Sequence, residues 1–235
     1  MQYIRKSHER GGVDFGWLQS QHSFSFGSYF DPNHMGFSVL RVINDDWVKP
    51  GKGFGTHGHK DMEIISYVVE GALKHKDSTG NDYVIPAGDV QRMSAGKGIM
   101  HSEFNPSDNE EVNFLQIWIT PNVQEAEPGY EQKTIQDKGK LTPLVTPNGE
   151  GNSLSINQDA SMYRVKLVPG ESLELTTGER FGYLHTVKGQ FTAVSNDSTV
   201  SFGQGDAFGA ITGQTILITA DTDVEALWFD LPPVA

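Results

Sequence analysis

The chain reads as one β pattern written twice. GYLHTVKGQ in the second half lies beside SYVVEGALK in the first, with Gly189 opposite Gly71, and SFGQGDAF lies beside VIPAGDVQ, with Gly205 opposite Gly88. Both matches share an offset of 117 to 118 residues, so the chain is a duplication of units about half its length. Each copy consists of short runs rich in β-branched and aromatic residues, such as MEIISYVVEG, VNFLQIWITP, SMYRVKLVPG and VEALWFDLPP, separated by turns that contain glycine. Runs of this kind at this spacing predict an all-β fold of sandwiches or barrels, and helical periodicity is hard to find. FSVLRVI reads as a strand, Ser78–Asn81 as a hairpin turn, and Asn44–Thr56 as a polar, glycine-rich approach to the residues that follow. Asn122–Asp137 is polar and non-periodic and reads as the connector, with the boundary near Pro128. The expected domains are therefore 1–128 and 129–235.

Within the first copy, His57 and His59 stand two residues apart, and so do His101 and Glu103. Successive side chains of a strand point to opposite faces, so each of these pairs projects from one face. Two such pairs on neighbouring strands converge on one ion. Three imidazoles and a carboxylate suit a first-row divalent metal that keeps positions open. There is no cysteine, so a transition-metal site must be built from His, Asp and Glu. Asp61 and Glu63 lie an even number of residues from His59 and compete with Glu103 on spacing alone. At the repeat offset, the second copy carries Leu175 and Thr177 in place of His57 and His59, with Ile218 and Ala220 near the places of His101 and Glu103. That copy keeps the scaffold and lacks the ligands, and function is expected in the first. His22 and His34 have no second ligand type at metal spacing and read as turn or surface residues.

Lys and Arg total 18 against 30 Asp and Glu, a formal charge of −12 that disfavours direct binding to a phosphate backbone. No run approaches the roughly 18 apolar residues of a membrane helix, and the first residues lack a signal-peptide core. With disulfides excluded, a cytoplasmic protein is expected.

The motifs G-x5-H-x-H-x3-E, from Gly51 through His57, His59 and Glu63, and G-x5-P-x-G, from Gly80 through Pro86 and Gly88, resemble the paired motifs of the cupin superfamily. Ordinary cupins carry a histidine where this chain has Gln91, and here the H-x3-N ending is displaced to His101 and Asn105. Seven residues separate Glu63 from Gly71 where the cupin pattern has six. The displaced ending, together with HSFSFGSYFDP, THGHKDMEIISY, MSAGKGIMHSEFNP and the final FDLPPV, resembles the pirin family over essentially the whole chain. The resemblance implies a bicupin of two β-barrels with one metal in the N-terminal barrel. It implies the ligands His57, His59, His101 and Glu103, and leaves Glu63 outside the ligand set. Bacterial pirins of this kind resemble quercetin 2,3-dioxygenases, which open the central ring of a flavonol with O2 and release carbon monoxide. The expected metal is Fe(II), with Ni, Cu, Zn, Co and Mn as alternatives. Glu103 is expected to be ligand and general base together. The second expectation from the family is a metal- and redox-dependent binder of a protein partner. Phe54, Met93, Phe104 and Trp118 are candidates for a pocket wall, with core packing the favoured role for each. Two barrels in one chain favour a monomer.

Overall fold

A computed structural model describes residues 1–196 and 198–233. The first half forms β1 (Tyr3–Arg5), β2 (Gly11–Asp14), β3 (Leu18–His22), β4 (Leu40–Val48), β5 (Gly53–His59), β6 (Glu63–Glu70), β7 (Ala72–Asp77), β8 (Asp82–Pro86), β9 (Asp89–Ser94), β10 (Ile99–Phe104) and β11 (Val112–Ile119). The second forms β12 (Gly129–Thr134), β13 (Leu141–Thr146), β14 (Leu154–Ser155), β15 (Ser161–Leu167), β16 (Ser172–Thr176), β17 (Phe181–Lys188), β18 (Phe191–Ser195), β19 (Ser198–Phe202), β20 (Ala207–Ala210), β21 (Thr215–Ala220) and β22 (Val224–Leu231). Among the described residues no helix is long and apolar enough to cross a membrane.

Each barrel faces a seven-stranded sheet against a four-stranded one. The first pairs the order β12-β9-β6-β11-β4-β3-β2 with β5-β10-β7-β8, and the second pairs β1-β20-β17-β22-β15-β13-β14 with β16-β21-β18-β19. The two lists match position for position, which is the repeat in three dimensions, except at the outer edge, where β2 runs antiparallel to β3 and β14 runs parallel to β13. Its glycines mark the same turns: Gly71 and Gly189 have φ of 73° and 83°, and Gly88 and Gly205 have 88° and 79°. These left-handed conformations are open to glycine and strained for other residues, so the sequence match reports a shared backbone demand.

The central strands of the large sheets are buried on both faces. Ile65, Tyr67, Leu115 and Ile117 of the first sheet and Val145, Met162, Leu227 and Phe229 of the second share one buried cluster, so the large sheets pack back to back. Their other faces turn into the barrels, where Val68, Leu73, Ile85 and Phe114 fill part of the first and Leu184, Phe191, Phe208 and Ile218 much of the second.

Strand pairing crosses the expected division at Pro128 in both directions. The expected connector contains β12, which hydrogen-bonds to β9 at the edge of the first barrel's sheet, while β1 pairs with β20 of the second. The polar composition of β12 belongs to an edge strand: Thr134 Oγ1 donates to Asp89 at 2.6 Å, Gln132 Nε2 to the same carboxylate at 3.1 Å, and Arg92 pairs with Glu131. A second difference lies at Asn44–Val48, which is the end of β4 and not part of the glycine-rich approach.

Candidate metal centre

The site forms where β5 meets β10. His57 and His101 sit directly opposite each other in this antiparallel pair, and the register shifts at a bulge between His101 and Glu103. On its other side β10 pairs with β7, which sets Glu103 opposite His75 and His101 opposite Asp77. Gly53 is what lets β5 come this close: a Cβ there would lie 2.2 Å from the Glu103 carbonyl oxygen.

His101 Nε2 lies 3.0 Å from His59 Nε2 and 3.0 Å from His57 Nε2. The His57 Nδ1–H donates to the Gly55 carbonyl at 2.7 Å, which leaves a lone pair on Nε2 facing its neighbours. Burial, then the neighbouring His101 and His57, lowers His59 to about 4, and burial followed by His57 and His75 lowers His101 to about 3. Imidazole nitrogens crowded at 3.0 Å fit a shared cation. The donor set therefore suits a divalent transition metal.

Glu103 sits one step deeper. Among the described residues its carboxylate clusters with His75 and His101, while His57, His59 and His101 form the other group of donor atoms within 4.8 Å of one another. It is fully buried, and it accepts hydrogen bonds from the facing sheet: Ser66 Oγ to Oε1 at 3.2 Å and Gln116 Nε2 to Oε2 at 2.8 Å. Burial pushes its carboxyl up, against the pull of His75, His57, Ser66 and Gln116. His75 escaped the sequence reading, although His75 and Asp77 form an i, i+2 pair like the others; His75 Nε2 lies 2.8 Å from Asp77 Oδ2.

The rival carboxylates point elsewhere. Glu63 lies on the back face of β6 and accepts from Ser94 Oγ at 2.8 Å and Asn157 Nδ2 at 3.1 Å. Asp61 caps a turn, accepting from the Glu125 N–H at 2.6 Å. In the second barrel the strand registers put Leu175, Ile216 and Ile218 where the first has His57, His101 and Glu103. The equivalents of His101 and Glu103 thus fall two residues earlier than the offset suggested, and all three residues are buried apolar side chains.

A cavity of about 310 Å³ opens on His57 and His59, with Phe54 and Trp118 in its wall. Met93 is instead packed in the core, and Phe104 is 39% exposed on the surface. His22 corrects the expectation of a turn or surface residue: it is 4% exposed, lies on β3 and lines the cavity. His34 is half-buried beside the Tyr3 hydroxyl at 2.8 Å.

Comparison with known proteins matches residues 3–119 to the Pirin family and residues 143–231 to the quercetinase C-terminal cupin domain. A quercetin 2,3-dioxygenase of Escherichia coli O157:H7 is 46% identical over 235 residues, covering 100% of both chains. A pirin-like protein of Caulobacter vibrioides is 40% identical over 94% of this chain and 95% of its own. The crystal structure of the bacterial pirin YhhW from Escherichia coli in complex with nickel(II) superposes with a TM-score of 0.93 at 46% identity, covering 99% of each chain. With its two cupin barrels and its histidine cluster confined to the first, the chain belongs to the pirin family.

Proposed function

We propose that this protein is a metal-dependent dioxygenase that cleaves flavonols, opening the central ring with O2 and releasing carbon monoxide. The observation that carries this reading is the convergence of three histidine Nε2 atoms, two of them on the wall of a cavity that also presents Phe54 and Trp118, with a buried carboxylate beside them. The relatives named quercetin 2,3-dioxygenase support it at 46% identity over the full chain. The residues that would hold the metal are His57, His59, His101 and Glu103. A divalent first-row metal, Fe(II) in our reading, supplies Lewis-acid and one-electron chemistry when bound there.

The chain's own part is to seat the substrate and take its proton. Phe54 and Trp118 offer flat apolar surfaces to an aromatic ring system and shed water from it. Glu103 accepts the proton of the flavonol 3-hydroxyl on a carboxylate oxygen, leaving the substrate as its electron-rich anion. Ser66 and Gln116 hold one carboxylate oxygen each, so the acceptor is already oriented. Its burial raises its proton affinity, the direction a base needs near neutral pH. A bound cation acts in the opposite sense, so the base role calls for its own variant.

Metal-free protein loaded anaerobically with Fe(II) and then given quercetin and O2 is expected to consume flavonol and release carbon monoxide one for one. His57→Ala abolishes both. Turnover absent with Fe(II), Ni(II) and Cu(II) despite confirmed occupancy overturns the reading in favour of metal-dependent binding of a protein partner. Glu103→Gln that retains both metal and full turnover overturns the base role alone.

A further inference from the structure

One row of side chains runs in register across the inner face of the first barrel's large sheet: His22, Asn44, Gln116, Ser66 and Gln91, each paired with the next. In the second barrel the equivalent row is Pro143, Tyr163, Trp228, Leu184 and Phe208. Beside His22 and Asn44, the pair Ser20 and Asp46 has Leu141 and Val165 as its counterparts. The same scaffold therefore closes with apolar side chains at every one of these places, and the polar residues of the first barrel answer to something other than folding.

Ser66 and Gln116 are accounted for by Glu103. Ser20, His22, Asn44 and Asp46 are not, and neither is Gln91, which lies outside the cavity wall. The first four line the cavity that opens on His57 and His59, and they are 2%, 4%, 2% and 2% exposed. Among the described residues His22 Nδ1 and Asn44 Oδ1 have no hydrogen-bond partner, and Ser20 Oγ and Asp46 Oδ1 face each other across β3 and β4, close enough for the hydroxyl to lower the carboxyl but without closing a hydrogen bond. Buried polar atoms are normally paired, so unpaired ones gathered on a single cavity wall describe a surface waiting for a ligand's polar groups. Asn44 Oδ1 can only accept, an ionised Asp46 can only accept, and the serine and the imidazole can do either. Hydroxyl groups supply the donors they lack.

We propose that Asn44 and Asp46, flanked by Ser20 and His22, determine specificity by accepting hydrogen bonds from hydroxyls on the pendant aromatic ring of the substrate. This rests on the flavonol reading of the cavity. A ring without hydroxyls leaves the acceptors desolvated and unpaired, and sites built to hydrogen-bond a hydroxyl reject the analogue that lacks it far more strongly than apolar pockets reject a missing methylene. Asp46 and Asn44 act here on recognition; the proton transfer belongs to Glu103.

The test is equilibrium binding to the full-length protein loaded with redox-inert Zn(II). The ligands are galangin, kaempferol and quercetin, which share the 3-hydroxychromone core and carry no, one and two hydroxyls on the pendant ring. Measured at pH 8, where Asp46 is ionised, affinity is expected to rise along the series by about tenfold or more, the worth of a hydrogen bond to a charged group. Asp46→Leu and Asn44→Leu flatten the series, while Asp46→Asn, which keeps an acceptor, retains most of it; thermal melting verifies that each variant is folded. A wild-type protein that binds all three equally overturns the proposal, as does a folded Asp46→Leu that still discriminates. Failure to bind any of the three with zinc in place overturns the flavonol reading itself, and the proposal with it.

Discussion

Asp46 is buried at 2% exposure, and burial pushes its carboxyl from 3.8 up to about 7, with Ser20 opposing and Asp45 and Glu103 adding to the rise. Between these values the unfolded chain has lost the proton and the folded chain has kept it, so stability falls as pH rises from about 4 to about 7. Asp46→Asn removes that loss. The variant is expected to gain stability over wild type progressively across this window, by up to about 4 kcal/mol above pH 7, and to gain nothing from this source below pH 4. Urea denaturation at pH 4, 6 and 8 checks the trend. Asp46 was not legible in the sequence, because Asn44-Asp45-Asp46 has the composition of a turn and its inward-facing members lie in a barrel that keeps polar groups inside. His57, His59, His101 and Glu103 stood out because ligand types recur at the strand period and vanish from the second copy. His22 and His75 follow the same period, but their partners across the strands are set by register, which a single sequence does not display.

At the scale of elements, the β5–β10 pair depends on a missing side chain. Gly53→Val places atoms against the Glu103 carbonyl and the Phe104 backbone, where a Cβ would already stand 2.2 and 2.5 Å away. The strand has to shift, at a cost of about 1–3 kcal/mol, and His57 and His59 shift with it. Metal affinity, measured by competition with a chelator, is expected to fall roughly tenfold or more. Gly55→Ala, where nothing lies within 4 Å, leaves both quantities unchanged. Most strands were readable from their β-branched runs, and the hairpin between β7 and β8 from its turn residues. β12 was not, since Tyr130-Glu131-Gln132-Lys133 carries no apolar alternation and its pairing comes from Asp89 and Arg92 on another strand.

For the whole molecule, the shared core between the large sheets ties the barrels into one cooperative unit. Tyr67 of the first barrel donates its hydroxyl to Glu225 of the second at 2.6 Å. Tyr67→Phe is expected to cost about 1–2 kcal/mol and to lower a single calorimetric transition without splitting it in two. The duplication itself was legible, down to the copy that carries Leu175, Ile216 and Ile218 in place of the paired histidines and carboxylate. The exchange of edge strands was hidden, because β1 and β12 occupy equivalent places in sheets that are not their own copy's.

That exchange sets an order of events during synthesis. β1 leaves the ribosome about 200 residues ahead of its partners, Ala207 to Gly209. At 5–20 residues per second the wait is roughly 10–40 s. The first barrel's large sheet has both its edge strands once the chain has been made as far as Thr134. β1 therefore waits for its partner strand while the first barrel's large sheet can already close.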